Sequence, residues 1–151
     1  MNKSVIKKIE KTVKDAMSGE YPFYYDTPQT LNQRLDNAAY PCVMLHILES
    51  NALVDTNGIF RERLSIEMLF ANTMQLDFDG IDTEEQKMQA LKEAGFAWLV
   101  MLYRSHELRL IAINGTHRYY ASDDSIIGAY GISVTLEEVQ GFAKCNIKPT
   151  T

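Results

Sequence analysis

Apolar residues recur at three- and four-residue spacing through residues 3–17, at Val5, Ile6, Ile9, Val13, Ala16 and Met17. That spacing predicts an amphipathic helix, and Gly19 stops it. Lys3, Lys7, Lys11 and Lys14 share its other side, as a solvated face or a contact for an acidic partner or DNA. The most regular pattern in the chain is NGIFRERLSIEMLFANT, residues 57–73. Read as a strand, it sends Phe60, Leu64, Ile66, Met68 and Phe70 one way, with Glu62 out of place among them. Ile59, Arg61, Arg63, Ser65, Glu67 and Leu69 go the other way. The first set is a core face; the second meets water or another protein.

Between these segments, Thr27 before Pro28 signals the start of a short helix running to about Leu35. The aromatic cluster Tyr21, Phe23, Tyr24 and Tyr25 suits packing over a sheet edge, or a stacking surface for a base or sugar. CVMLHILES, residues 42–50, is apolar on both faces, as in a strand covered on two sides. Asn57-Gly58 is a hairpin turn joining this strand to the next, and residues 50–56 extend the hairpin as an arm.

Farther on, Thr83 with Gln86 makes a capping box, and Glu84 and Glu85 sit where the helix dipole favours negative charge. The stripe Met88, Leu91, Ala94, Gly95, Trp98, Met101 and Leu102 follows, with Leu91 and Trp98 as core residues. From Phe96 to Tyr103 the helix is apolar nearly all round, which predicts burial on several sides. Residues 107–113 and 116–122 flank Asn114-Gly115 as a second hairpin, and strand 126–136 alternates after it. The expected fold is α+β: an antiparallel sheet of about four to five strands with helices packed on one face. It forms a single domain over residues 1–138, and residues 139–151 are a C-terminal extension or arm.

Composition narrows the class. The chain has 151 residues, 46% of them hydrophobic and 23% charged, as in an ordinary soluble globular domain. A net charge of −5 argues against a general nucleic-acid binder. Cys42 and Cys145 are too few for a disulfide framework, which points to a reducing compartment. The first fifteen residues lack the apolar run of a signal peptide, and no stretch reaches the ~18 apolar residues of a membrane span, so no membrane association is expected.

Searching for chemistry gives little. His46, His106 and His117 are widely separated and lie in no nucleophile or zinc-protease pattern. Cys42 and His46 share a strand face but are about 13 Å apart along it, too far to hold one metal. The acidic run from Asp77 to Glu85 fails the calcium-loop pattern, because Gly80 falls fourth from Asp77 and Met88 falls twelfth. The glycines are isolated, with no phosphate-binding loop. Alternation puts Glu62 opposite Arg61 and Arg63. No catalytic residues, metal ligands or cofactor are therefore expected.

The order of elements nevertheless suggests a family. A basic N-terminal helix precedes a strand opening Tyr40-Pro41-Cys42-Val43-Met44-Leu45. A polar-tipped hairpin, a long strand with arginines on one face, a long helix and a closing strand Gly131-Ile132-Ser133-Val134-Thr135-Leu136 follow. Over residues 3–138 this layout resembles the tail-terminator and head–tail joining (neck) proteins of tailed bacteriophages. The resemblance implies a structural virion protein of the tail or neck, assembled in the host cytoplasm, with no enzyme activity and no cofactor. It implies a homo-oligomeric ring, commonly a hexamer, that caps the tail tube and joins it to head-completion proteins while DNA passes through the lumen without sequence-specific binding. On that reading Arg61, Arg63 and Glu67, the arm with Asp55 and Asn57, and the apolar surplus from Phe96 to Tyr103 form the subunit interface. The alternatives are a small-ligand or nucleotide-binding domain stacking on Tyr21, Tyr24, Tyr25, Tyr119 and Tyr120, and an enzyme pairing His106 or His117 with a carboxylate.

Overall fold

Helix α1 spans Asn2–Met17 in the computed structural model. The structure describes residues 2–27, 29–56, 58–74, 81–121, 126–139 and 142–143, with side chains described at all of these except 2–4, 48–56, 59, 81–83 and 142–143. The predicted stripe is the buried one: Val5, Ile9, Val13 and Met17 enter the core. Past Met17 the chain turns through left-handed backbone at Ser18 and Gly19, and the Gly19 N–H donates to the Lys14 carbonyl.

The aromatic segment does not merely lie over a sheet edge; it is one. Phe23–Tyr25 forms β1, running parallel to Val43–Leu45. Helix α2, Leu31–Asn37, begins later than the Thr27-Pro28 signal predicted. Thr27 and Thr30 close a turn on each other instead: the Thr27 N–H donates to Thr30 Oγ1 at 3.0 Å, and the Thr30 N–H to the Thr27 carbonyl at 3.1 Å. Such local hydroxyl bonds compete with helix start.

Strands β2 (Cys42–Thr56) and β3 (Ile59–Met74) form the predicted antiparallel hairpin, with the arm continuing it to its tip and Gly58 at positive φ in the turn. Helix α3 runs Ile81–Arg104, so Thr83 and Gln86 lie inside it by backbone, and the Thr83 side chain lies outside the described residues. The predicted second hairpin is absent. Residues 108–121 are one continuous strand, β4, paired along its length with β5, Ile126–Glu138. Asn114 and Gly115 sit in mid-strand opposite Ser133 and Ile132. A glycine belongs there because a Cβ at Gly115 would collide with the Tyr130 phenol, whose ring covers the strand. Phe142–Ala143 (β6) returns to pair with Ile59 and Phe60, so part of the C-terminal extension is joined to the arm.

The fold is α+β, with a mostly antiparallel sheet ordered β1-β2-β3-β5-β4. One face of the sheet carries Val43, Leu45, Leu64, Ile66, Met68, Phe70, Ile132, Val134 and Leu136, which pack with α1 and with Leu91, Trp98 and Leu102 of α3. Trp98 is fully buried against Phe70, their ring centroids 6.0 Å apart. The opposite face is apolar where Cys42 and Met44 of β2, Leu69 and Ala71 of β3 and Ile127 and Ala129 of β5 meet Leu35 of α2. The expectation of helices on one face thus describes α1 and α3, while α2 lies on the other. The same arrangement accounts for the double-sided apolar pattern of residues 42–45.

Candidate interaction surface

Beyond the edge of α2, the second face turns polar, and here the charged side of β3 finds partners within its own chain. Glu67 is 4% exposed. Its Oε1 lies 3.2 Å from Nε2 of His46 on β2, and its Oε2 pairs with the Arg118 guanidinium from β4. Ser133 Oγ stands 3.4 Å from the same Oε2. Arg118 reaches across β5 over Gly131, where an added Cβ would come within 3.2 Å of its Nε. Arg63 Nη2 donates to Glu137 at 2.9 Å, and Arg61 Nε donates to the Val139 carbonyl at 3.0 Å. Glu67, expected to face a sister copy, is therefore withdrawn from that role, because its carboxylate is buried and engaged. Arg61 and Arg63 are half-buried and already bonded. Asp55 belongs to the arm by backbone, but its side chain lies outside the described residues, as does all of Asn57.

The helix side presents the opposite situation. Phe96, Val100 and Tyr103 recur along α3 at i, i+4 and i+7 and are 45%, 46% and 71% exposed. The predicted burial of this apolar surplus on several sides does not occur within the chain; Trp98 and Leu102 take the core-facing side and leave these three outward. Next to them runs β4, the last strand of the sheet among the described residues. Ile113, His117 and Tyr119 pair with Val134, Tyr130 and Gly128, so by register they stand on the α3 side of the sheet, and all three are exposed. Tyr130 bridges helix and strand: Phe96 meets its ring edge-on at 6.0 Å and His117 at 5.3 Å. Edge strands are commonly blunted by charge, proline or short length. From Ile111 to Thr116 this one has no charge or proline, although a register shift between Leu110 and Ala112 interrupts its pairing with β5, and the nearby Arg118 is folded back to Glu67.

The alternative sites do not assemble. Tyr21 packs against the main core, Tyr24 and Tyr120 against the second face, and Tyr119 stands on the α3 side. They line no common platform. His117 sits on Tyr130, and among the described residues it makes no ion pair. His106 lines a cleft of about 370 Å³ between α1 and the end of α3, together with Lys8, Lys11, Asp15, Arg104 and Glu107. Among the described residues His106 makes no ion pair or hydrogen bond, and no group of three or more metal-ligating side chains occurs. Lys7, Lys11 and Lys14 are exposed on α1, with Lys14 near Glu10 at 3.8 Å, and the Lys3 side chain lies outside the described residues.

Two buried groups near the polar face are electrostatically displaced. Burial pushes the Cys42 thiol up to about 12 against a smaller opposing effect of Arg34. Burial, aided by the Arg118 charge, holds His46 below its ordinary 6.5, although Glu67 and Asp26 pull the other way. Sequence reasoning missed this cluster because its members, Asp26, Arg34, His46, Glu67 and Arg118, come from separate segments and only strand order brings them together. The chain matches no known protein family and no curated protein.

Proposed function

We propose that this protein is a structural subunit that works by associating with further copies of itself, in the role of a phage tail-terminator or neck protein that its layout resembles. On this reading it carries no enzymatic activity and binds no cofactor. A ring of copies, a hexamer by the resemblance, caps the tail tube, adjoins the head-completion proteins and lets DNA pass through its lumen. The carrying observation is the exposed Phe96–Val100–Tyr103 ridge beside an open strand edge. Contiguous exposed apolar surface of this kind marks association sites, and an unpaired edge offers backbone hydrogen bonds to an added chain. A ring needs two different patches to meet. The α3–β4 surface supplies one; the arm, Arg61 and Arg63 supply the other. The division of the tyrosines between two faces speaks against the ligand-binding alternative.

Light scattering on the eluted protein across a concentration range tests the reading, with electron micrographs of the concentrated sample. Concentration-dependent growth to a closed oligomer is expected, and Phe96→Ser with Val100→Ser and Tyr103→Ser should leave a folded monomer. A wild-type chain that stays monomeric at the highest concentration, or a triple variant that assembles as before, overturns it.

A further inference from the structure

The polar face holds one line of charge that the assembly surface leaves unexplained. Arg34 Nε of α2 donates to Asp26 Oδ2 at 2.9 Å, and Asp26 also accepts from Thr30 Oγ1. His46 follows on β2, Glu67 on β3 and Arg118 on β4. From α2 to the open edge the line runs Arg34 positive, Asp26 negative, His46, Glu67 negative and Arg118 positive, and with His46 neutral the four charges cancel. His46, 5% exposed, is the middle of the line. A carboxylate can only accept, so Nε2 carries the ring proton toward Glu67, and Nδ1 keeps a bare lone pair. That nitrogen is buried, with no hydrogen-bond partner among the described residues. The described groups facing the ring are Glu67 of β3, Arg118 of β4, with its Tyr120 hydrogen bond, and Asp26 with Arg34 behind it.

We propose that His46 is an acid-operated latch on the edge strand: a proton at Nδ1 sets two cations against the single Glu67 carboxylate, and Arg118 lets go. The asymmetry lies in escape. The imidazole is enclosed, whereas the Arg118 side chain is 35% exposed and sits on the last strand, where its guanidinium can turn into water. Departure of Arg118 removes the side-chain tie that crosses Gly131 and holds β4 to β3. The edge strand then loosens, and on the assembly reading above, subunits part. Only this last consequence rests on that reading; the latch itself operates within one chain.

Hydrogen exchange of the full-length protein, compared at pH 7 and pH 5 as protection factors corrected for intrinsic rates, tests the latch. Protection of residues 116–120 should fall at pH 5. In β3 residues 66–70 protection should hold. His46→Gln keeps a donor for Glu67 but cannot titrate, and should abolish the difference. NMR titration of the wild type should show the Arg118 Nε–H and the His46 ring changing with one midpoint, a readout that does not depend on the variant's folding. An Arg118 signal indifferent to pH, or the same loss of protection in a folded His46→Gln variant, overturns the latch. Oligomer size measured alongside separates the two readings, since a monomer with an acid-labile β4 would keep the latch and sink the assembly.

Discussion

The indole N–H of Trp98 donates to Thr12 Oγ1 at 2.9 Å, tying the most deeply buried ring of α3 to α1. The same hydroxyl donates onward to the Ile9 carbonyl at 2.6 Å. Trp98 thus fills the helix–helix–sheet junction with its polar atom satisfied, as a buried tryptophan requires. Trp98→Ala should lower unfolding free energy by about 3–5 kcal/mol, as large-to-small core changes do. Thr12→Val keeps the volume and strands the indole N–H, costing about 1–3 kcal/mol. Urea denaturation followed by far-UV circular dichroism measures both. A near-zero effect of Thr12→Val would mean that the junction is held by packing alone.

Arg63 and Glu137 form the outer ion pair of the polar face, with Glu137 only 6% exposed. Arg63→Glu places a second carboxylate beside it and should destabilise the fold by about 1–3 kcal/mol, the range for a buried polar group deprived of its partner. Arg61→Glu, which loses a hydrogen bond to an exposed carbonyl, should cost clearly less. Equal effects in chemical denaturation would contradict the pairing.

At Asn114 and Gly115 the strand and hairpin alternatives predict opposite outcomes. Asn114→Thr would damage a two-residue turn, but it puts a good strand former at an exposed strand position and should be neutral or stabilising. Gly115→Val drives a branched side chain into the Tyr130 hydroxyl and should cost about 1–3 kcal/mol, as overpacking does. Thermal melts of the two variants decide the matter.

Burial depresses His46, so the native state resists a proton that the unfolded chain accepts at its ordinary 6.5. Below that pH the unfolded state binds more protons, and stability falls as the pH drops from 6.5 toward the lower native value. The contribution is fully present at pH 7 and above. His46→Gln should flatten the slope of unfolding free energy between pH 7 and 5, measured by denaturant titration at each pH.

Cys42 is fully buried with its thiol raised to about 12, so at pH 8 it is protonated and shielded. Alkylation of the native protein, mapped by mass spectrometry, should leave the Cys42 peptide unmodified until denaturant is added. Prompt native labelling would show that α2 does not close over this face.

Periodicity alone specified much of this molecule. The α1 stripe, the α3 core stripe through Trp98, the alternation of β3 and the Asn57-Gly58 hairpin are local signals, because in each a single face must be dry and neighbours along the chain reveal it. Three features were decided by tertiary structure. Asn114-Gly115 carries strong turn chemistry, yet pairing with β5 and the Tyr130 ring overhead keep the strand straight. The apolar band from Phe96 to Tyr103 predicted burial on several sides, but a helix laid on a sheet can turn only part of its circumference inward, so Phe96, Val100 and Tyr103 stand exposed. The charges of β3 looked free for a partner, since sequence shows which way a residue points and not what waits there. Strand order brings His46 and Arg118 to either side of Glu67, and buried charge is stable only when its partners arrive from elsewhere in the chain.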